Sequence, residues 1–142
     1  MADHPAALCN NGPNWWLMEL ADAQAVRQAL PDLAGITRLT QASAATGLAI
    51  YAHETGGDAD LVVRAFCPGD GIPEDMVTGS TNAWIAARLH GEGRLPGEAS
   101  RYVACQGREV GRDGHVHIEI DDEGEVWIGG TNKQVIEGRI DW

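Results

Sequence analysis

The chain has 142 residues, of which 44% are hydrophobic, and this is enough for one domain with a substantial core. Its net charge of −11, from 21 acidic and 10 basic side chains, opposes binding to nucleic-acid phosphate and to anionic lipid. No apolar stretch is long enough to span a bilayer, and the N-terminus lacks the pattern of a secretory signal, so we expect a cytoplasmic protein.

The first elements alternate between strand and helix patterns. Residues 15–20 (WWLMEL) predict a buried strand, and residues 22–33 predict a helix that is capped by Asp22 and ended by Pro31. A short second helical turn is expected from residue 32 to residue 39. Together these patterns predict one strand followed by a pair of short helices.

Two strands and an unusual helix are predicted next. Residues 46–53 and 59–68 are rich in β-forming side chains and are separated by the turn residues 54–58. The following helix, predicted at about residues 80 to 90, contains the stretch NAWIAARL, which is apolar on nearly all sides. A helix of this kind must be covered on most sides by other elements.

Four strand candidates follow the helix: RYVACQG, GHVHIEI, GEVWIGG and KQVIEGRI, at residues 101–107, 114–120, 124–130 and 133–140. The middle two are joined by an acidic turn and predict a hairpin. Strands before and after one apolar helix predict an α+β fold. We therefore expect residues 1–142 to form a single domain, a mostly antiparallel β-roll or barrel wrapped around the central helix.

The N-terminal end of the predicted central helix is the best candidate for a functional site. Glu74 and Asp75 precede Thr78, Gly79 and Ser80, where the helix begins. Its first-turn N–H groups have no partners within the helix and favour a negative group, such as a substrate carboxylate. The spacing alone slightly favours a purely structural alternative, in which Thr78 and Ser80 cap the helix and the two carboxylates offset its dipole.

Other possible sites are weaker. His115 and His117 share one face of a strand, as two metal ligands could, but no third ligand stands at a meaningful spacing, so a solvated strand face is expected. Cys9, Cys67 and Cys105 form no C-x-x-C pair, so we expect reduced cysteines and neither a disulfide framework nor a structural zinc site. The sequence also lacks the hydrolase nucleophile elbow and the Walker phosphate loop.

The stretch RAFCPGDGIPEDMVTGSTNAWIAARL resembles the signature of the phenazine-biosynthesis PhzF-like family, in which a strand ending R-x-F-x-P leads to E-D-P-x-T-G-S and a central helix. The matching residues are Arg64, Phe66, Pro68, Glu74, Asp75, Thr78, Gly79 and Ser80. Met76 stands where the family usually has proline. The segments ACQGREVGRDGHVHIEI, VWIGGTNKQVIEGRI and NNGPNWWLMELADAQAVRQALPD are similar to other parts of the family's second domain, so the resemblance covers nearly the whole sequence.

The resemblance implies a diaminopimelate epimerase-like fold, in which two similar domains face each other across a cleft. It also implies isomerase or epimerase-like chemistry, which moves a proton between carbon atoms without cofactor or metal. The family's Asp and Ser in E-D-x-x-T-G-S line the cleft, and they correspond to Asp75 as the catalytic candidate and to Ser80. Glu74, Thr78, Gly79 and Ser80 are the predicted substrate-binding residues.

The sequence corresponds to the family's second domain, whereas the principal acid/base glutamate of the family comes from the first. Two functions are therefore predicted. The chain forms half of an isomerase-type site, completed by a second copy or by a partner chain. Alternatively, it keeps the fold as a small-molecule-binding or interaction module without turnover. We expect a homodimer, with Trp15, Trp16 and Trp127 as candidate interface residues, and no nucleic-acid or membrane partner.

Overall fold

The computed structural model describes residues 4–10 and 12–141 of the protein. The strands are β1 (Ala7–Asn10), β2 (Asn14–Glu19), β3 (Gly47–His53), β4 (Leu61–Cys67), β5 (Ile72–Asp75), β6 (Arg101–Gln106), β7 (Gly114–Ile120) and β8 (Val126–Gly129). The helices are α1 (Ala23–Gln28), α2 (Leu33–Ser43) and α3 (Gly79–Gly91). Short 3-10 turns follow β4 and β6.

The strands form one curled, mixed sheet in the order β1-β2-β3-β4-β6-β7-β8, and β5 pairs with β4 beside this path. Five of the seven pairings are antiparallel, while β2–β3 and β4–β6 are parallel. Parallel neighbours need a crossover connection, and here the crossovers run through α1 and α2 and through α3. The parallel β4–β6 pair places the end of β6 beside the start of α3.

Helix α3 packs against the inner face of the curled sheet. Its Ile85, Ala86 and Leu89 are buried against side chains from β2, β3, β4, β6 and β7. Trp84 and Ala87, on another side of the helix, remain half-buried. The predicted helix at residues 80 to 90 is confirmed, but its complete enclosure by strands is not, because the described sheet stays open between β1 and β8.

Helices α1 and α2 cover the outer face of the sheet. Val26 and Ile36 from these helices pack on Ile50, Val62 and Phe66, which point outward from β3 and β4. Asp22 caps α1 as predicted, because its carboxylate accepts a hydrogen bond from the Ala25 N–H at 2.7 Å. Helix α2 extends to Ser43, beyond the single turn that the sequence predicted.

Some predictions differ from the structure. The stretch KQVIEGRI was expected to be a strand, but residues 130–141 have no regular secondary structure, since a strand requires a pairing neighbour as well as β-forming residues. Trp15 is buried in the inner core and Trp16 is half-buried, whereas Trp127 is 63% exposed. Among the described residues, no helix is long and apolar enough to cross a membrane.

Candidate functional site

The candidate site is formed where β4, β5 and α3 meet. Strand β4 ends at Cys67, and a 3-10 turn closed by Gly71, whose φ of +79° suits glycine, sends β5 back along β4. Asp75 then pairs with Ala65, and the chain enters α3 after three more residues. The sequence P-x-x-G-x-x-x-D thereby connects the end of β4 to the N-terminal end of α3, which we call the helix mouth. Asp75 lies beside this mouth.

A buried polar network surrounds Thr78 at the helix mouth. The Thr78 hydroxyl lies 2.7 Å from Oδ2 of Asp75, and the Gln106 side chain contacts Thr78, Asn82 and the Asp75 backbone carbonyl. Thr78, Asn82 and Gln106 are all buried, and Asp75 is partly exposed. The network fixes one side of the Asp75 carboxylate. Asn82 and Gln106 were not among the predicted site residues, although Gln106 belongs to the family-like Q-G pair.

Asp75 also lies close to a buried thiol. Burial raises the pKa of the Cys67 thiol, and the charges of Asp75 and Asp70 raise it further. Cys67 is therefore held as a neutral thiol at neutral pH. The ionisable groups at the mouth thus include one partly exposed carboxylate beside a buried, unreactive cysteine.

Glu74 does not point freely into the site. Both of its carboxylate oxygens accept hydrogen bonds from Arg64, at 2.9 and 2.8 Å, and both side chains are almost fully buried. Arg64 also donates to the backbone carbonyls of Val26 and Ala29 at the end of α1. The pair therefore ties β4, β5 and α1 together. The predicted substrate-binding role of Glu74 remains a prediction, and it competes with this structural role.

The first turn of α3 carries no side-chain cap. Thr78 occupies the N-cap position, but its hydroxyl is directed to Asp75 and makes no capping bond. The Ser80 hydroxyl accepts a hydrogen bond from the Trp15 indole N–H at 3.1 Å. A Cβ placed on Gly79 would meet no atom within 4 Å, so open space lies beside the first turn. The backbone N–H groups of Gly79 and Ser80 are therefore open to an external acceptor, whereas Thr81 is buried.

A depression of about 720 Å³ lies on one side of the mouth. Val77 and Gly79 line it together with the start of β7 and residues 128–132. Asp75, Thr78 and Ser80 are not among its lining residues, so of the predicted site residues only Gly79 lines this depression. Another depression, of about 620 Å³, lies beside Trp127 on the outer face of β6, β7 and β8, away from this site.

The two histidines of β7 have different surroundings. His117 is exposed, whereas Nε2 of His115 lies 3.2 Å from Asp58, and Asp113 is close enough for the three side chains to share a cation. Arg108 donates to both Asp58 and Asp113, and its hydrogen bond to Asp58 is the main reason that the pKa of Asp58 is lowered to about 2. The Arg108 guanidinium already supplies the positive charge that a metal ion would bring to these carboxylates.

The family model described as phenazine biosynthesis-like protein matches residues 1–138. An uncharacterized isomerase of Deinococcus radiodurans is 33% identical over 140 residues, which are 94% of this chain and 45% of that relative. The uncharacterized isomerase YddE of Escherichia coli K12 is 34% identical over 107 residues, or 71% of this chain and 36% of YddE. The chain thus spans about half the length, or less, of the curated relatives it matches.

Solved structures show the same fold. The crystal structure of a PhzF-family phenazine biosynthesis protein from Enterococcus faecalis aligns with a TM-score of 0.63 and 26% identity, over 87% of this chain and 42% of that one. A predicted epimerase from Pseudomonas aeruginosa aligns with a TM-score of 0.59 and 25% identity, over 84% of this chain and 39% of its own.

Proposed function

Because this chain belongs to the phenazine biosynthesis-like (PhzC-PhzF) family, we propose that it forms one wall of an isomerase-type site that binds a small carboxylated metabolite at the mouth of α3. The chemistry is proton transfer between carbon atoms without a cofactor. Asp75 is the catalytic candidate, and Thr78, Gly79 and Ser80 surround the substrate carboxylate. The second wall comes from a similar domain, in a second copy of the chain or in a partner chain.

The open first turn of α3 is the observation that supports this proposal. The Thr78 hydroxyl is directed to Asp75, and the Ser80 hydroxyl accepts from Trp15. The first-turn N–H groups carry a partial positive charge, and the open space beside Gly79 gives an anion access to them. The overall charge of −11 repels anions, so such local donors must supply the attraction.

The binding module without turnover is supported by a different observation. Glu74 is held by Arg64, which leaves Asp75 as the partly exposed carboxylate of the E-D-x-x-T-G-S element. A proton transfer between two carbon atoms commonly uses a donor and an acceptor within about 3 Å of the substrate. This domain, which offers Asp75 alone, binds a ligand. Turnover follows only when a second domain across the cleft supplies another proton donor or acceptor.

Binding is tested by titrating acetate, propionate and benzoate into the 15N-labelled protein at pH 7 and low salt. We expect the amide resonances of Gly79, Ser80 and Thr81 to move together and to saturate. Chloride at equal ionic strength is the control. Gly79→Pro removes one of the donors and should weaken binding, since proline has no N–H. If the carboxylates move these resonances no more than chloride does, the proposed site is wrong.

Turnover is tested separately by incubating the protein with small carboxylated metabolites in D2O and following the carbon-bound protons by NMR. Exchange that Asp75→Asn abolishes would favour the isomerase. Saturable binding without exchange would favour the binding module.

A further inference from the structure

The side chain of Gln106 uses its complete hydrogen-bonding capacity at the helix mouth. Its Oε1 accepts from the Thr78 backbone N–H at 3.1 Å and from the Asn82 side chain at 3.0 Å. Its Nε2 donates to the Asp75 backbone carbonyl at 3.1 Å and to the Thr78 hydroxyl at 2.9 Å. Gln106 is 2% exposed, so water has little access to replace these partners.

Two backbone groups determine the direction of this network. The Thr78 N–H can only donate, so it requires the Oε1 atom of Gln106, and the Asp75 carbonyl can only accept, so it requires Nε2. A rotated amide would place donor against donor and acceptor against acceptor. The Thr78 hydroxyl must then accept from Gln106, and its single proton is directed to Oδ2 of Asp75, 2.7 Å away.

We propose that Gln106 is a positioning residue that acts through the Thr78 hydroxyl and holds Asp75 with Oδ2 occupied and Oδ1 presented to the substrate as an acceptor. Among the described residues, Oδ1 has no hydrogen-bond partner. Because Oδ2 receives the Thr78 proton, it cannot itself carry a proton towards Thr78. Oδ1 is therefore the atom that takes a hydrogen bond, or a proton, from the bound molecule.

This inference rests on the proposed function and narrows its substrate class. The molecule carries a carboxylate for the first-turn N–H groups of α3 and, elsewhere, a group that donates to Oδ1 of Asp75, such as a hydroxyl, an ammonium or an acidic C–H. A second carboxylate at that position is disfavoured, because it would face the Asp75 carboxylate as one acceptor facing another.

Matched variants separate this role from a purely structural one. Thr78→Ser keeps the hydroxyl, whereas Thr78→Val keeps the shape and loses the hydroxyl. Gln106→Glu keeps the acceptor Oε1 but replaces the donor that faces Thr78 with a second acceptor, so the Thr78 proton is drawn away from Asp75. Thermal unfolding of the full 142-residue chain shows which variants fold.

The probes are pairs of carboxylates that differ by one hydroxyl: propionate with lactate, and butyrate with 3-hydroxybutyrate. The wild type and Thr78→Ser should bind at least one hydroxylated member about tenfold more tightly than its parent, as expected for a hydrogen bond to a charged group. Thr78→Val and Gln106→Glu should lose this preference, so that in these variants each hydroxylated acid binds no more tightly than its own parent acid. Folded variants that keep the preference would refute the positioning role, and so would a wild type that binds the parents without it.

A signal independent of ligands is the side-chain carboxylate carbon of Asp75 in the 13C-labelled protein at pH 7. Its resonance should coincide in the wild type and Thr78→Ser, and should move in Thr78→Val and Gln106→Glu. If no parent acid binds the wild type, the proposed function fails, together with the substrate class. If the Asp75 resonance is unmoved in folded Thr78→Val and Gln106→Glu, the proposed hydrogen-bond chain from Gln106 through Thr78 to Asp75 is wrong.

Discussion

At the scale of single residues, Arg64 determines what Glu74 can do. Its guanidinium forms a bidentate pair with Glu74 and also donates hydrogen bonds to the backbone carbonyls of Val26 and Ala29 at the end of α1. The side chains of Arg64 and Glu74 are 6% and 10% exposed, so both charges depend on each other for compensation. Glu74, the first acidic residue of E-D-x-x-T-G-S, thus stabilises the entry to α3, and Asp75, the second, remains the catalytic candidate of the proposed site.

We predict that Glu74→Gln lowers the free energy of unfolding by about 3–5 kcal/mol, because it leaves the buried Arg64 charge unpaired. Glu119→Gln is the matched control, since Glu119 pairs with Arg101 at the surface and such pairs contribute about 0–1 kcal/mol. Urea denaturation of both variants measures the difference. Equal losses would show that the buried pair has no special role.

At the scale of elements, α3 is anchored differently at its two ends. Its N-terminal end is held by hydrogen bonds among Thr78, Asn82 and Gln106, whereas a cluster of ion pairs holds the chain beyond its C-terminal end. Arg94 donates to both oxygens of the buried Glu19 on β2, and it also donates to Glu92 at 2.7 Å. The Arg94 N–H bonds the Leu89 carbonyl at 2.8 Å, so this cluster also terminates the helix.

Burial raises the pKa of Glu19, but the hydrogen bonds and charge of Arg94 outweigh burial, so the pKa lies below its ordinary value. A carboxylate with a lowered pKa stabilises the fold above its unfolded pKa of about 4.3, and this stability is lost as pH falls through the folded value. We predict that the stability difference between the wild type and Glu19→Gln shrinks as pH falls from 7 through that window.

Urea denaturation at several pH values between 3 and 7 measures this difference. Glu123→Gln, in the exposed hairpin turn, controls for the loss of one negative charge. A difference that stays constant across the range would contradict the role assigned to the Glu19–Arg94 pair.

At the scale of the whole molecule, large apolar side chains remain exposed in the stretch that follows β8. Ile136 and Ile140 are 87% and 78% exposed, and they come later in the chain than Asn132, the last residue that lines the depression beside α3. Large contiguous apolar surfaces on proteins commonly mark interfaces. A second copy of the chain remains the proposed cover, because a two-fold pairing can place two similar walls across one cleft.

We predict that light scattering at micromolar concentration gives about twice the monomer mass of 15.2 kDa. Ile136→Asp combined with Ile140→Asp should shift the mass towards the monomer, whereas Leu30→Asp, at a 95% exposed position near the end of α1, should not. Each copy carries a charge of −11, so added salt should strengthen the assembly. A mass near that of the monomer for the wild type would refute the dimer.

The sequence by itself determined the local elements. The apolar pattern of residues 83–89 predicted α3, β-forming runs predicted β2, β3, β4, β6, β7 and β8, and Asp22 marked the start of α1. The resemblance of residues 64–89 to the PhzF-like signature identified the family. These features could be predicted because periodicity, capping and signature motifs each depend on residues close together in the chain.

Tertiary structure decided which of these residues meet. The parallel pairing of β4 with β6 brings Gln106 to Thr78 across 28 positions, and no local pattern encodes that pairing. The same folding directs Glu74 to Arg64 and leaves Asp75 at the mouth of α3. The stretch 133–140 has strand-forming residues but no strand, because a strand exists only beside a partner. Secondary-structure propensities depend on the local sequence, whereas hydrogen-bond partners exist only once the sheet has assembled.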